Sequence, residues 1–323
     1  MGDDTVCDRP DFADIGRAGR THWRHYLAGA VVVVAFWLVL SSIAAAIAIK
    51  AGDTLAFRPI ISGKYDLTGL YGYLSVGPIL FVSTAANVAV ILGIFAAVTW
   101  VHRRSWRSVL TARDRFSWRI FLHSLLVATL IIAAYSTVYA IAEDRLDEYG
   151  ARLRVWVPGT LVFAAATCLA VLTAEIAFRG YLLQAVGRFS SSLHVRVLLA
   201  AAVAFAFFFH KEGMYIFNLS LESLKPALIW PFLGPALIAL YLTWLAIRGN
   251  GLESCLGLHI ALEIAPDRFA IGKIGEYSVR SAFENTGGFG PLQLAILVSL
   301  FALHFLYMRR VWKRHDREGD ESA

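Results

Sequence analysis

Apolar blocks that are long enough to cross a lipid bilayer recur along the chain from residue 27 to residue 309. A helix needs about 17–25 apolar residues to span a hydrocarbon core that is about 30 Å thick. The blocks cover approximately residues 27–49, 77–101, 120–142, 157–178, 194–210, 229–247, 251–266 and 291–308. They are too long and too uniformly apolar for barrel strands, whose apolar residues alternate over about ten positions. The sequence therefore predicts an all-α polytopic membrane bundle of about eight transmembrane helices.

The charged residues indicate how the chain is placed in the membrane. They make up only 17% of the 323 residues, and they give a net charge of +6. With eight spans and a cytoplasmic N-terminus, most Lys and Arg fall on the cytoplasmic side, as the positive-inside rule requires. We therefore predict a multi-pass protein with both termini cytoplasmic. The high hydrophobicity and the lack of organelle signals predict a bacterial plasma membrane. The arginine-rich segment 102–119 is expected to contact anionic lipid rather than nucleic acid.

The predicted domain organisation is one membrane domain between two tails. Residues 1–25 form a polar cytoplasmic tail, residues 26–310 the transmembrane domain, and residues 311–323 a basic cytoplasmic tail. A mostly polar stretch precedes the first span, and that span is longer than the core of a signal peptide. We therefore expect the first span to be a retained anchor.

A charge in the middle of a span costs at least about 2.5–3.5 kcal/mol to insert, and the ionisable side chains of three blocks follow one another along the chain. Glu175 and Arg179 lie four residues apart, with the acid first, which favours a helical ion pair. His210 ends the fifth block, and His259 and Glu263 share one helix face in the seventh. The first acid and the two histidines lie at similar depths, roughly 17–21 Å along their helices from the arginines at the predicted inner surface. We therefore predict that the two acids and two histidines line one cavity, and that Arg179 contacts Glu175. His123 and His304 also lie in spans, but neither has an acid at helical spacing, so we expect both to be structural.

The sequence around these side chains resembles the CPBP family of intramembrane endopeptidases, which includes the CaaX proteases and the bacteriocin-processing proteins. The family pattern is two glutamates followed after three residues by arginine, then a phenylalanine four before a histidine, then a histidine four before asparagine or aspartate. Here the first motif is carried by Glu175–Leu182, the second by His210 and the third by residues 241–263. The resemblance covers about residues 157–265. It implies a glutamic-type intramembrane peptidase that uses no metal or other cofactor.

The chain departs from the family pattern at three positions. Ala174 stands where the first glutamate is expected, so only the second acid, Glu175, is present. Ala206 replaces the phenylalanine and has aromatic residues on both sides, and Glu263 stands where an amide is expected. In the family, the first glutamate and first histidine activate the attacking water, and the second histidine and its asparagine hold the oxyanion. One carboxylate has therefore been lost and another gained.

Several functions are compatible with these departures. In an active peptidase, Glu263 or Glu175 is the base, and its partners are His210 and His259. Alternatively, the missing acid at Ala174 leaves an inactive relative that serves as a membrane scaffold, an immunity protein or a peptide-binding protein. The two histidines and one glutamate also match a catalytic zinc shell. A transporter is a further alternative, although the sequence does not divide into two halves with interrupted apolar segments at corresponding positions.

The expected partners are membrane lipid and a peptide or membrane-protein substrate, and not nucleic acid.

Overall fold

A computed structural model describes residues 12–20, 22–51, 70–142, 158–190, 192–216, 229–269 and 291–320 of the chain. Within these ranges the chain forms the helices α1 (Trp23–Ala51), α2 (Leu70–Ala96), α3 (Trp118–Ala142), α4 (Pro158–Ala174), α5 (Leu183–Phe189), α6 (Leu193–Ile216), α7 (Ile229–Arg248), α8 (Glu253–Phe269) and α9 (Pro291–Asp320). Two π-helical segments are continuous with them: Ala97–Val101 follows α2, and Glu175–Leu182 joins α4 to α5. Short 3₁₀ turns form at Asp14–Arg17 and Trp106–Val109. Residues 158–189 are one continuous helical stretch, which we call the motif helix.

The predicted all-α membrane bundle is confirmed. Each predicted apolar block falls on a helix of the described chain. Five helical segments are long and apolar enough to cross a membrane: Trp23–Ala48, Leu80–Val101, Trp118–Val138, Ala164–Arg188 and Leu294–His315. Two shorter apolar segments, Leu193–Ala206 and Leu233–Arg248, accompany them. The number of eight spans stays a prediction.

Large apolar side chains cover the outside of the bundle. In α1, the exposed fraction of Val31 is 62%, and in α3 Leu122, Leu126 and Leu130 are each more than half exposed. Continuous apolar surface on this scale is rare on soluble monomers, whereas lipid tails solvate it without cost. The protein is therefore a multi-pass membrane protein.

Helix α8 is enclosed by its neighbours, chiefly by α3. A methyl group added at Gly257 would lie 2.6 Å from the carbonyl oxygen of Phe121, so glycine permits the two backbones to approach closely. The buried Ser124 hydroxyl of α3 donates to the Ser254 carbonyl of α8 at 2.6 Å and lies 2.8 Å from Nε2 of His304 in α9. The first turn of α8 is thereby fixed between α3 and α9.

Part of the predicted polar N-terminal tail is packed into the bundle. Phe12 and Ala13 are fully buried, and the 3₁₀ turn that follows them lies against α5. Asp14 in this turn accepts a hydrogen bond of 2.6 Å from Arg196 at the start of α6. This part of the tail is buried because Phe12 and Ala13 form a short apolar stretch among the polar residues. At the other end of the chain, α9 continues as a helix to Asp320.

Candidate active site

The first motif lies on the π-helical segment in the middle of the motif helix. Residues Glu175–Leu182 form this segment, and α-helix continues on both sides of it. Single π-helical turns within α-helices occur frequently at functional sites. Glu175 and Arg179 are both buried, with 0% and 1% of their surface exposed, and Arg179 Nη1 donates to Glu175 Oε1 at 2.9 Å. The predicted contact between Glu175 and Arg179 is therefore confirmed.

His259 in α8 reaches the same carboxylate. Its Nδ1 lies 2.5 Å from Glu175 Oε1, and its side chain is 6% exposed. Because the ion-paired carboxylate is an acceptor, the proton of this hydrogen bond belongs to Nδ1. The bond fixes the orientation of the imidazole and leaves Nε2 for a second partner, as in a catalytic triad.

Glu263 lies on the far side of the imidazole, one turn along α8. The distance from His259 Nε2 to Glu263 Oε1 is 3.7 Å. This separation is longer than a hydrogen bond, but a water molecule can contact both atoms. The Glu263 side chain is 33% exposed, whereas Glu175 is completely enclosed. We call Glu175, His259 and Glu263 the Glu–His–Glu line, because they lead from a closed interior to an accessible carboxylate.

Three of the four predicted site side chains are thus brought together. His210 belongs to α6, but its side chain lies outside the part of the chain that the structure describes, so its place in the site stays a prediction. Ala174 is half-buried and directly precedes the π segment. Among the described residues, no group of three or more His, Cys, Asp and Glu is placed to hold a metal ion. The zinc interpretation requires His210 and is therefore not tested.

Comparison with known proteins identifies the segment that contains this site. Residues 156–265 match the family described as Type II CAAX prenyl endopeptidase Rce1-like. Residues 156–265 are thus similar to the Rce1-like family. The chain is also 25% identical over 275 residues to the Bacillus subtilis (strain 168) protein named "Uncharacterized protein YyaK", and the alignment covers 83% of this chain and 85% of that protein. No solved structure matches.

The Rce1-like segment extends from just before the motif helix to just beyond Glu263, in agreement with the predicted extent of residues 157–265. The predicted resemblance to the CPBP family is thereby confirmed. The motif helix and all three residues of the Glu–His–Glu line lie within the match, and α8 continues beyond it to Phe269. The protein is a membrane protein that contains a segment similar to the CAAX prenyl endopeptidases.

The Rce1-like site also contains a residue that motif analysis did not single out. Cys255 of α8 is fully buried, its thiol interacts with Glu175, and Sγ donates to the Leu252 carbonyl at 3.2 Å. The signal in the sequence is its position four residues before His259, on the same helix face. Reactive cysteines are partly exposed and lie in electropositive surroundings, whereas this thiol is enclosed beside a carboxylate. Cys255 is therefore a small core residue of the site.

A second buried contact joins the Rce1-like motif to α1. The Tyr181 hydroxyl donates to Nε2 of His102 at 2.9 Å, and Nδ1–H of His102 donates to the Arg20 carbonyl, also at 2.9 Å. One neutral tautomer of His102 satisfies both bonds. A methyl group at Gly29 of α1 would meet the Tyr181 hydroxyl, so glycine is needed for this approach. The motif helix is thereby held against α1 and the residues that follow α2.

This contact makes the stability of the fold depend on pH. Burial lowers the pKa of His102 below its ordinary value. The unfolded chain therefore binds a proton near pH 6.5 that the folded chain does not, and stability is lost as the pH falls through that value. We expect the midpoint of thermal unfolding in detergent to be lower at pH 5.5 than at pH 7.5, and His102→Gln to reduce the difference. Replacement of the exposed His22 by glutamine is the control, and an unchanged pH dependence in His102→Gln contradicts the prediction.

Proposed function

We propose that this protein is an intramembrane endopeptidase in which Glu263 activates the attacking water with His259 as its partner. The observation that carries the proposal is the Glu–His–Glu line. A buried, ion-paired carboxylate orients an imidazole, and the other nitrogen of that imidazole faces an accessible carboxylate. The similarity of residues 156–265 to a family of membrane endopeptidases supports the same reaction class.

The two carboxylates have different tasks in this proposal. Glu175 Oε1 already accepts hydrogen bonds from Arg179 and His259 in a closed interior, so Glu175 positions the imidazole. Glu263 takes a proton from water as the water oxygen attacks the peptide carbonyl carbon. In this proposal His259 is protonated on both nitrogens: Nδ1–H stays bonded to Glu175, and Nε2–H donates to the developing oxyanion. The carboxylate of Glu175 balances the positive charge of the imidazolium. The C–N bond then breaks, the leaving nitrogen takes the proton from Glu263, and the products are a carboxylic acid and an amine.

His210 enters the proposal through the family resemblance, which implies that the histidine of the second motif faces the reacting water. The substrate class is a peptide or membrane-protein segment that reaches the bundle from the lipid phase.

We further propose that the protein lies in a bacterial plasma membrane with both termini on the cytoplasmic side. Protease protection of tags fused to each terminus, in intact cells and in inside-out vesicles, tests this placement. Both tags should be protected in intact cells and cleaved in the vesicles, and cleavage of either tag in intact cells contradicts the placement.

A defined peptidase assay tests the proposal. Purified protein in liposomes is incubated with farnesylated CAAX peptides, the same peptides without the lipid, and transmembrane peptides, and the products are identified by mass spectrometry. We expect cleavage at one bond by the wild-type protein and no cleavage by His259→Gln. A loss of cleavage after chelation that zinc reverses would support the zinc interpretation instead. Equal rates in the wild type and in His259→Gln would exclude this site as the source of activity.

An inactive relative is the second candidate function, and two observations favour it. Ala174 supplies no acid at the first motif position, and Glu175 is already bonded to Arg179 and His259. Such a protein could bind a membrane peptide without cutting it. Saturable binding of a peptide from the panel, without any product, distinguishes this function from a peptidase.

A further inference from the structure

Residues 102–117, between α2 and α3, contact both helices that carry the proposed site, although they lie outside the Rce1-like match. We call this stretch the clamp segment. The motif helix holds Glu175 and α8 holds His259, so the hydrogen bond between these side chains requires a fixed separation of the two helices. The clamp segment makes contacts that can set this separation.

On one side, the clamp segment is fastened to the motif helix. The side chain of Gln184 is completely buried, and its Nε2 donates to the Ser108 carbonyl at 2.5 Å. A methyl group at Gly180 would lie 2.5 Å from the Val109 carbonyl oxygen, so the 3₁₀ turn rests directly on the π-helical backbone. The hydrogen bond from Tyr181 to the first residue of the clamp segment adds a third contact. All three contacts lie within ten residues of Glu175.

On the other side, backbone hydrogen bonds fasten the clamp segment to the turn before α8. The N–H of Leu252 donates to the Leu110 carbonyl at 2.8 Å, and the N–H of Ala112 donates to the Asn250 carbonyl at 3.1 Å. Asn250 has a φ of 52°, a left-handed conformation that asparagine tolerates better than most residues. Residues only two positions apart in the clamp segment thus bond to different elements: residue 108 to the motif helix, and residue 110 to the turn before α8.

A buried carboxylate completes this second attachment. Glu253, in the first turn of α8, is fully buried and accepts a hydrogen bond of 3.2 Å from the N–H of Ser117. Arg113 of the clamp segment lies 3.6 Å from its other oxygen. A negative charge is also favourable at the N-terminal end of a helix. The axial position of α8 is therefore fixed six residues before His259.

We infer that the clamp segment is the positioning element of the site, and that Gln184 and Glu253 are positioning residues that maintain the Glu175–His259 hydrogen bond. The catalytic consequence rests on the proposed peptidase function, whereas the geometric consequence does not. A displacement of about 1 Å in a reacting group can lower a rate by about 100-fold. Loss of either attachment should therefore lower kcat by about 10- to 100-fold while KM changes by less than about twofold.

Nuclear magnetic resonance of histidine-labelled protein in lipid nanodiscs tests the inference without relying on activity. The Nδ1 proton of His259 should give a low-field resonance, which is assigned by its absence in His259→Gln. Gln184→Met and Glu253→Gln keep the size of each side chain but remove its donor or its charge. We expect both variants to shift or broaden this resonance and to lower kcat. Arg107→Gln, at an exposed position of the same segment, is the matched control and should change neither.

Each result decides the inference. A His259 resonance that is unchanged in both folded variants, or absent from the wild type, overturns it. If neither variant folds, Tyr181→Phe decides, because it removes one hydroxyl from the clamp contacts: a shifted resonance supports the inference and an unchanged one overturns it. If the resonance responds as expected but the wild type cleaves no peptide, the proposed function fails and the positioning role stands.

Discussion

Replacement of Glu263 by glutamine is expected to lower peptide turnover by about 10²–10⁴-fold, which is the usual contribution of a positioned general base. Glutamine keeps the size of the side chain and can still contact His259, but it cannot take a proton from water. Glu263 is one-third exposed and lies 3.7 Å from its neighbour, so its ion pair contributes less than about 1 kcal/mol to stability. The measurement is the cleavage rate in liposomes, alongside the midpoint of thermal unfolding.

Glu175→Gln is the matched comparison, because it changes the enclosed carboxylate of the same line. It leaves the buried Arg179 without its anion, and breaking a buried pair costs about 3–5 kcal/mol. We therefore expect the Glu263 variant to lose rate and keep stability, and the Glu175 variant to lose stability. A Glu263→Gln protein that cleaves peptide at the wild-type rate would refute the role of Glu263 as base.

The sequence predicts the helices and two contacts of the candidate site because the membrane restricts the backbone structures that a chain can form. Backbone groups in hydrocarbon must be satisfied within a helix or a closed barrel, so long apolar blocks identify helices directly. Ionisable residues are costly in this environment, so those that have a partner at helical spacing indicate a candidate site. The spacing of four residues then predicts the Glu175–Arg179 contact and the common face of His259 and Glu263. Both arrangements are present in the structure.

The remaining features depend on long-range contacts that leave no pattern in the sequence. Apolar periodicity does not distinguish a π segment from an α-helix in a uniformly apolar block, so the change of helix type at Glu175 is not predictable. The attachment of the clamp segment to the turn before α8 uses backbone hydrogen bonds, which almost any residue can make. The burial of Phe12 and Ala13 likewise follows from the tertiary fold, since so short an apolar stretch in a polar tail predicts no partner.

Moving the carboxylate back to the first motif is expected to rescue an inactive site. Glu263→Asn places an amide where the family resemblance implies an oxyanion donor, and on its own it should be as slow as Glu263→Gln. Addition of Ala174→Glu restores an acid beside Glu175. Neighbouring residues on a helix point about 100° apart, so the new acid faces a different neighbour from Glu175. We expect the double variant to exceed Glu263→Asn by at least about 100-fold in turnover.

The control for this rescue is Ala174→Gln with Glu263→Asn, which adds similar volume without a base and should stay inactive. Inserting an acid into the membrane domain costs a few kcal/mol, so thermal unfolding must show that each double variant is folded. Equal turnover in the two double variants would mean that side-chain volume rather than proton transfer causes the rescue.

A different pattern of turnover identifies the inactive relative: the wild type shows no turnover, and the single variant Ala174→Glu does. In that case Glu263 was never the base, and the missing acid at Ala174 is by itself the reason that the site binds without cutting.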